Sequence, residues 1–317
     1  MKYTIAIAGT TKRTLQCAEA LLKSNLFEIV WILTPIAKPV GRKQVISPNP
    51  MDLFAQEKNI PVVYVEKKLD SSIQEKIALL PHPDLLLVVD FGYIIPNWLL
   101  QLPKIAPLNI HPSQLPKWRG SSPGQFAILF NEKNSAVTLM VMDEKLDHGP
   151  IIHQDFFAVD PTWNQEEYYQ HAFELMCKNL SQKVAQFAQN PDKVVPQPES
   201  SPTIIAKQIS KEQAFVPWKH IQMAQQGLRP TDIGVLSELL QQAYKANGLF
   251  PLTLDRAVKA FSPWPVLWTI VPTTQGEKRM KVLESELQNG ILILKTVHIE
   301  GKNPGNWSDV KNSIYTT

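Results

Sequence analysis

The chain has 317 residues, of which 44% are hydrophobic and 19% are charged, which excludes a disordered protein and allows one large domain or two of ordinary size. Its net charge of +3 is too small for a protein that coats nucleic acid through charge alone. The chain has 2 cysteines, Cys17 and Cys177, which exclude a disulfide framework and a cysteine-built zinc site, so we expect a protein of the reducing cytoplasm.

Short apolar runs alternate with helical patterns through the first half of the chain. The first run predicts a strand rather than a signal peptide, and no run approaches the roughly 20 residues that a membrane span needs. This alternation predicts an α/β, Rossmann-like fold in which a parallel sheet is covered by helices on both faces. We expect strands at residues 3–8, 27–33, 62–65, 85–89 and 108–111, and helices from about residue 15 and at residues 50–58, 73–80 and 165–189.

A change in composition predicts a second domain. Four prolines lie between residues 190 and 202, which indicates a linker, and the short strands expected at residues 280–286, 291–294 and 296–300 indicate a small β-barrel with a helix near residues 232–245. From residue 203 onward, thirteen Lys and Arg face nine Asp and Glu, a net charge of +4. This excess favours a polyanion partner, although a solvated surface accounts for it equally well.

The most informative residues follow the strand expected at 108–111. Asn109 and His111 are two apart on an extended segment, so their side chains point to the same side, at the sheet edge where such folds bind ligands. An amide can donate to a developing oxyanion, and a histidine can move a proton near neutral pH. Asp147 precedes a His-Gly turn and could aim a carboxylate at them. Taken singly, His111 could be a structural histidine and Asp147 a turn former.

The order Asn-x-His-x-Ser-x-Leu-Pro-x-x-Arg-Gly at residues 109–120, followed by Leu-Asp-x-Gly at residues 146–149, resembles the folate-dependent formyltransferases, and most closely their tRNA-directed members. The resemblance implies a catalytic domain at residues 1–189, a linker at 190–203 and a C-terminal, OB-like β-barrel at 204–317 that binds tRNA. It implies transfer of the formyl group of 10-formyltetrahydrofolate to the α-amine of methionine on initiator tRNA. Asn109 and His111 would stabilise the oxyanion, and Asp147 would orient His111 or relay a proton.

The resemblance also assigns a folate pocket. Gly92 would allow close approach of a flat ring, while Phe91 and Ile94 would supply apolar contact; an ordinary strand-to-helix turn is the alternative. Arg119 would anchor a loop or contact phosphate, and the sequence does not choose between them. The expected folate-binding residues are Phe91, Gly92, Tyr93, Ile94, Ser113, Gln114, Leu115 and Pro116.

The loop at residues 34–50 is long for a βα connection, where about 2–6 residues are usual. Its cations Lys38, Arg42 and Lys43 would suit contact with acceptor phosphates of tRNA, or they could only solubilise a surface loop. In the second domain, Trp218, Trp264 and Trp268 could stack on bases, but we expect them to fill the core.

Two positions depart from the family pattern: Thr11-Lys12-Arg13 replaces a Pro and an aromatic residue, and His148 replaces a small hydroxyl residue. An amino sugar of a nucleotide sugar is the alternative acceptor; a formate-releasing hydrolase and a catalytically silent RNA-binding protein are weaker alternatives. Histidine spacing suggests no metal, and we expect a monomer with no membrane partner.

Overall fold

The computed structural model describes residues 2–37, 39–40 and 45–314. The described residues form two compact units that interleave along the chain. The first comprises residues 1–119, 136–157 and 170–204, and the second residues 120–135, 158–169 and 205–317. The boundaries expected at 189 and 203 stay a prediction.

A mostly parallel sheet forms the centre of the first unit, which confirms the predicted fold class. In the described part of the chain it has seven strands in the order β5-β2-β1-β6-β7-β8-β9, with β5 to β7 parallel and β8 antiparallel to β7. The strands are β1 (Tyr3–Gly9), β2 (Phe27–Pro35), β5 (Val62–Val65), β6 (Leu85–Val89), β7 (Ala106–His111), β8 (Asn134–Val141) and β9 (Ile151–Ala158), and β3 (Pro39–Val40) pairs antiparallel with β4 (Val45–Ile46) in a separate two-stranded sheet.

The strands β5, β2, β1 and β6 are apolar because both faces of the sheet are covered. All five residues of β6 are buried, and Trp31 and Leu33 of β2 are fully buried. The helices before residue 190 are α1 (Lys12–Lys23), α2 (Pro50–Lys58), α3 (Ser71–Ala78), α4 (Asn97–Leu100), α5 (Pro123–Leu129), α6 (Gln165–Cys177) and α7 (Leu180–Gln189).

The continuous helix expected at residues 165–189 is wrong, because the chain interrupts it between α6 and α7. Asn179 has non-helical backbone angles (φ −133°, ψ 23°) at the N-cap of α7, a position that asparagine favours over a helix interior. The apolar periodicity continues on both sides of this break, so the pattern alone does not show it.

The strand order of the first unit defines its ligand-binding edge. The chain runs from β1 to β2 on one side, and β6 then pairs with β1 on the other side, so the order reverses between β1 and β6. In open α/β sheets, ligands bind at such a reversal beyond the carboxyl ends of the strands. Gly9 ends β1 here, and a Cβ on it would overlap the carbonyl oxygen of Val89.

The two cysteines lie together in the first unit, although 160 residues separate them. The Sγ atoms of Cys17 on α1 and Cys177 on α6 are 3.6 Å apart, and both thiols are free. The hydrogen bond to Cys177 and burial raise the pKa of the Cys17 thiol.

An antiparallel sheet packed against helices forms the second unit. In the described part of the chain its strands are ordered β10-β11-β12-β13, with α10 packed on β11 and β12. The predicted strands at 291–294 and 296–300 are one strand, and the helix expected near 232–245 begins later. The elements are η1 (Glu212–Ala214), α8 (Trp218–Gln225), α9 (Glu238–Asn247), α10 (Phe250–Ala260), β10 (Leu267–Thr273), β11 (Gly276–Gln288), β12 (Ile291–Ile299), β13 (Gly305–Asn306), α11 (Trp307–Val310) and η2 (Lys311–Ser313).

A buried ionic cluster stabilises α10. The fully buried Asp255 carboxylate accepts hydrogen bonds from Lys259 at 2.5 and 2.6 Å and from the Ser285 hydroxyl at 2.9 Å. Burial lowers the pKa of Lys259, and the Asp255 carboxylate opposes that change. The pairing lets a carboxylate lie inside an otherwise apolar unit.

Candidate active site

Asn109 and His111 lie in the last three residues of β7, and His111 ends the strand. Asn109 pairs with Val88 of β6 and Met140 of β8, and His111 pairs with Thr138 of β8. Both side chains therefore emerge at the carboxyl end of the parallel strands, on the same side of the sheet. Residue 109 is half-buried and His111 is 5% exposed.

The imidazole of His111 is held between a backbone carbonyl and a carboxylate. Its Nε2 lies 3.0 Å from the carbonyl oxygen of Trp118, and its Nδ1 lies 3.7 Å from Oδ1 of Asp147. Because a carbonyl only accepts hydrogen bonds, Nε2 carries a proton and Nδ1 is the atom that can gain or lose one. The predicted pair is thus brought together with Nδ1 turned towards the carboxylate.

A tight turn presents Asp147 to the histidine. Asp147 has a φ of +48°, in the left-handed region that aspartate tolerates better than most residues. A Cβ on Gly149 would overlap the carbonyl oxygen of Val141, so the turn packs against the end of β8 only with glycine at 149. The Asp147 side chain is 13% exposed, so most of it is covered by the protein.

The carboxamide of Asn109 donates no hydrogen bond to another described residue. Its neighbours in the sheet fix its backbone, so a side-chain donor is held at the sheet edge and remains available to a ligand. A preorganised donor of this kind suits the oxygen of an acyl group under attack.

The loop after β6, expected to hold folate, is tied to the start of α1. Asp90 has a φ of +48° and accepts hydrogen bonds from the Thr11 hydroxyl at 2.7 Å and from Nε of Arg13 at 2.5 Å. The unusual Thr11-Lys12-Arg13 sequence therefore has a structural consequence. Thr11 also caps α1, and Arg13 forms an ion pair with Asp90 that fixes the loop.

The backbone at the tip of that loop has open space beside it, so a flat ligand could approach it closely. Gly92 is exposed, and a Cβ built on it would meet nothing within 4 Å. The Phe91 and Tyr93 rings lie 5.1 Å apart, centroid to centroid, and are packed on the apolar core. Ile94 is 93% exposed, so it contacts little of the protein itself.

A cleft of about 900 Å³ opens beside Gly92 and Tyr93. It is also bordered by Thr10 after β1 and by segments that follow β2 and precede α2, including residues 35–37 and 47–50. The cleft lies at the reversal of strand order and is large enough for a bicyclic ring with substituents.

The other half of the expected folate set is mostly scaffold. Ser113 is fully buried and its hydroxyl donates to the Lys117 carbonyl at 2.7 Å, and Leu115 is 2% exposed. Gln154 donates to the Leu115 carbonyl at 2.9 Å. Only Gln114 and Pro116 of this set are partly exposed, and whether any of the four touches folate stays a prediction.

Arg119 is a loop anchor, which resolves the choice that the sequence left open. The residue is 4% exposed, and its guanidinium donates to the Gln197 side chain at 3.1 Å, the Pro198 carbonyl at 2.7 Å and the Glu199 carbonyl at 3.0 Å. With its donors directed into the protein, it is not placed to bind a phosphate. Sequence patterns missed these partners because they lie about 80 residues away in the expected linker.

His148, the second departure from the family pattern, contacts carboxylates other than that of Asp147. Its Nδ1 lies 2.6 Å from the Asp143 carboxylate and its Nε2 lies 3.4 Å from a Glu199 oxygen. Lys145, first, and then His148 lower the pKa of Glu199. The histidine at this position thus adds contacts with two carboxylates beside the turn.

The cations expected to contact tRNA, Lys38, Arg42 and Lys43, lie outside the described residues. Residues 39–40 and 45–46, which lie on either side of Arg42 and Lys43 in sequence, form a short antiparallel ladder in which Pro39 pairs with Ile46 and Val40 with Val45.

The second unit carries an aromatic and cationic surface, which we call the Trp268 face and define by Trp268, Arg279 and Lys281. Trp268 pairs with Lys281 across β10 and β11, and the Arg279 guanidinium lies 4.8 Å from the Trp268 ring centroid. The core placement expected for the tryptophans holds for Trp218, which is 8% exposed, and is wrong for Trp264, which is 46% exposed. Trp268 is half-buried and lies on the sheet surface because Thr269 and Leu267 point inward instead.

The described residues contain no group of three or more His, Cys, Asp or Glu side chains arranged to hold a metal ion. They also contain no helix with the length and apolar character that crossing a bilayer requires.

The first unit is a doubly wound sheet whose ligand edge carries an amide donor, an imidazole and a carboxylate. These groups are the ones that an enzyme of acyl-type group transfer uses. Comparison with known families identifies the group: residues 1–184 match the model of the formyl transferases. The match covers more than half of the chain, and the chain belongs to that family.

Individual relatives agree with this assignment. The chain is 29% identical over 280 residues to a methionyl-tRNA formyltransferase of Methylacidiphilum infernorum, a match that covers 88% of this chain and 78% of the relative. Its fold is similar to an N-formyltransferase from Helicobacter canadensis, in complex with folinic acid and dTDP-3-aminofucose (TM-score 0.57, 18% identity, 91% of this chain and 89% of that one). It is also similar to a methionyl-tRNA formyltransferase from Clostridium thermocellum (TM-score 0.54, 16% identity, 94% and 98%).

Proposed function

We propose that this formyltransferase takes its formyl group from 10-formyltetrahydrofolate and transfers it to the α-amino group of methionine on initiator tRNA, in the cytoplasm. The observation that carries the proposal is the convergence of Asn109, His111 and Asp147 at the ligand edge of a formyltransferase sheet. The relative that suggests the acceptor is a methionyl-tRNA formyltransferase whose match extends over 88% of the chain, including the second unit.

The cleft beside Gly92 fits the folate donor. A pterin ring is flat, and the missing side chain at Gly92 leaves open space above the backbone. Exposed Ile94 would gain an apolar partner when the ring binds, since burying an isoleucine side chain contributes about 1.5–3 kcal/mol. The Arg13–Asp90 ion pair would hold the loop in the binding geometry before folate arrives.

The reaction forms one C–N bond and breaks another. A methionyl α-amine titrates near neutrality, so a substantial fraction is uncharged and able to attack the formyl carbon. Attack gives a tetrahedral carbon with an oxyanion, to which the Asn109 amide would donate. The bond to the folate nitrogen then breaks, and that nitrogen needs the proton that the amine has lost.

His111 and Asp147 are placed to move that proton. Nε2 of His111 is occupied by the Trp118 carbonyl, so Nδ1 would accept the amine proton and return it to the leaving nitrogen. The Asp147 carboxylate, 3.7 Å from Nδ1, would stabilise the imidazolium while it carries the charge. A water between the two could serve the same transfer.

Two features favour tRNA as the carrier of the amine. The chain from residue 203 onward has a net charge of +4, and its sheet surface offers an aromatic ring beside two cations, Arg279 and Lys281. Positive charge near aromatic rings is typical of surfaces that bind RNA backbone and bases. The loop cations Lys38, Arg42 and Lys43 would add contacts near the acceptor end.

The second candidate acceptor is an amino sugar of a nucleotide sugar. It is favoured by the fold likeness to the Helicobacter canadensis N-formyltransferase, whose bound ligands include dTDP-3-aminofucose. The donor site and the proton transfer would be the same, so the candidates differ only in what the cleft and the second unit bind.

A competition between acceptors tests the proposal. Purified protein is given 10-formyltetrahydrofolate with methionyl initiator tRNA, or with a dTDP-amino sugar, and formylated product is measured. We expect product from the tRNA and less than 1% of that rate from the sugar. Transfer to the sugar alone would replace the proposed acceptor, and transfer to neither would refute the proposed reaction.

Salt dependence tests the RNA surface separately. The double variant Arg279→Gln, Lys281→Gln should weaken tRNA binding and reduce the slope of log K against log salt by about 1–2, because each lost phosphate contact removes about 0.7–0.9. Replacing Lys38, Arg42 and Lys43 by Gln should act likewise and leave folate binding unchanged. Lys245→Gln on the exposed side of α9 is the control, and equal slopes in all chains would contradict both assignments.

A further inference from the structure

The segment between residues 190 and 203, expected to be a linker, is hydrogen-bonded to the loops that carry Trp118 and Asp147. Ile151 and Val195 exchange two backbone hydrogen bonds of 2.8 Å, which fixes the segment beside β9. Further along, the Ser201 hydroxyl donates to the Pro116 carbonyl at 2.9 Å and the Thr203 hydroxyl accepts from the Trp118 amide at 2.8 Å. Because residues 195, 201 and 203 are all hydrogen-bonded to the first unit, the residues between 195 and 201 are held in place.

Gln197 lies at the centre of this segment, and its side-chain amide bonds to both loops of the active site. Its Nε2 donates to the carbonyl of Asp147 at 3.1 Å and to the carbonyl of Gly149 at 2.7 Å. Its Oε1 accepts from Nη2 of Arg119 at 3.1 Å and from Nε at 3.4 Å. Arg119 directly follows Trp118, whose carbonyl holds His111.

The orientation of this amide is determined by its partners. A guanidinium can only donate and a backbone carbonyl can only accept, so Oε1 must face Arg119 and Nε2 must face the turn. Both amide protons and the acceptor oxygen are thereby used. Few side chains other than glutamine could satisfy a buried guanidinium on one side and two carbonyls on the other.

We propose that Gln197 is a positioning residue for formyl transfer: by fastening the Asp147 turn to Arg119, it sets the distance between the Asp147 carboxylate and the His111 imidazole. The proposal rests on the roles proposed above for His111 and Asp147. The two loops that it connects are 28 or more residues apart along the chain, so they are held together by tertiary contacts, of which the hydrogen bonds of Gln197 are the ones that reach the backbone of the Asp147 turn from Arg119. A displacement of about 1 Å at such a site can lower a rate about 100-fold.

Gln197→Glu tests the proposal with little change in shape. The carboxylate keeps and strengthens the contact with Arg119, but it loses both donors and places negative charge against the carbonyls of Asp147 and Gly149. We expect kcat to fall about 10- to 100-fold, with KM for folate and for the acceptor within about two-fold of wild type. Gln186→Glu, the same change on the exposed side of α7, should leave both parameters unchanged.

A double-variant cycle separates positioning from a general structural role. If Gln197 acts through Asp147, adding Gln197→Glu to Asp147→Asn should lower kcat by less than about two-fold further, because the carboxylate it positions is already gone. A full 10- to 100-fold further loss, or wild-type kcat in the single variant, would overturn the proposal. Thermal unfolding of each variant shows whether it folds, and Gln197→Met, which removes both donors without adding charge, should reproduce the kcat loss.

Failure of this proposal is distinguishable from failure of the proposed function. An inactive wild-type chain would refute the function before any variant is compared. An active wild type whose Gln197→Glu variant is equally active would refute only the positioning role.

Discussion

Replacing Asn109 by alanine isolates the oxyanion donor more cleanly than any other change at this site. Asn109 is half-buried and its side chain donates to no other described residue, so the substitution removes no donated hydrogen bond among the residues that the structure describes. The strand pairings with Val88 and Met140 are made by the backbone and survive. We therefore expect normal folding and an unchanged thermal midpoint within about 2 °C.

The expected rate loss follows from what a single oxyanion donor contributes. Donors aimed at a developing oxyanion are typically worth about 3 kcal/mol, and each 1.36 kcal/mol is a factor of ten in rate. The loss in kcat/KM should therefore be about 100- to 1,000-fold. Because the donor acts on charge that develops only in the transition state, the loss should fall on kcat rather than on KM.

Single-turnover formyl transfer with saturating 10-formyltetrahydrofolate measures this directly. Folate affinity, measured by fluorescence or calorimetry, should stay within about three-fold of wild type. Asn179→Ala, at an exposed position before α7 where the side chain makes no capping bond, is the matched control. Near wild-type turnover in the Asn109→Ala chain would refute the reasoning, and a loss confined to folate affinity would show that Asn109 binds the donor instead.

Three further changes test other parts of the account. Asp255→Ala should lower the free energy of unfolding by about 3 kcal/mol, measured by urea denaturation, because the Lys259 ammonium loses its buried partner; a loss below about 1 kcal/mol would contradict the importance of that pair. Gly149→Ala should lower kcat about 100-fold in the transfer assay, since its methyl group would displace the turn that carries Asp147, and unchanged kcat would show that the turn can yield. The pKa of Asp84 is lowered although burial opposes this, because the Thr4 amide and hydroxyl and then Lys104 favour the charged carboxylate. That stabilisation is present above the unfolded pKa of about 3.9 and is lost as pH falls through the lower folded value, so Asp84→Asn should flatten the decrease in urea midpoint below about pH 4, and an unaltered pH profile would contradict the assignment.

The sequence predicts the parallel part of the sheet well because those strands are continuously apolar. The run at residues 85–89 coincides with β6, whose residues are all buried, and the runs at 3–8 and 62–65 fall within or on β1 and β5. The strands β8 and β9 were not predicted. β8 follows α5 and is mostly buried, but the polar residues Asn134, Ser135 and Thr138 interrupt its apolar run. β9 follows β8 with no helix between them, outside the strand–helix alternation, and its sequence (IIHQDFFA) is largely half-exposed without a regular pattern of polar and apolar residues.

The chemistry of the site was predictable where residues lie close in sequence. Asn109 and His111 are two apart on one strand, so period-two geometry places them together. Asp147 could be suspected only from its turn and from the family resemblance, since no local pattern shows that a residue 36 positions away returns to His111.

The connections between distant loops were not predictable. Gln197 lies in a proline-rich stretch whose composition indicates a linker, yet it bonds to a carbonyl 50 residues away. Arg13 likewise pairs with Asp90 across 77 residues. Such partners depend on tertiary packing, and a single sequence records only the residue types and not the distances.

The central claim is that the formyl carbon is transferred beside Asn109, His111 and Asp147, and locating a bound folate tests it most directly. A crystal structure with 5-formyltetrahydrofolate, a stable analogue of the donor, should show the pterin ring against Gly92. It should also place the formyl-bearing end within about 4 Å of the Asn109 amide and of Nδ1 of His111. A folate bound with its formyl-bearing end more than about 8 Å from all three side chains would contradict the claim.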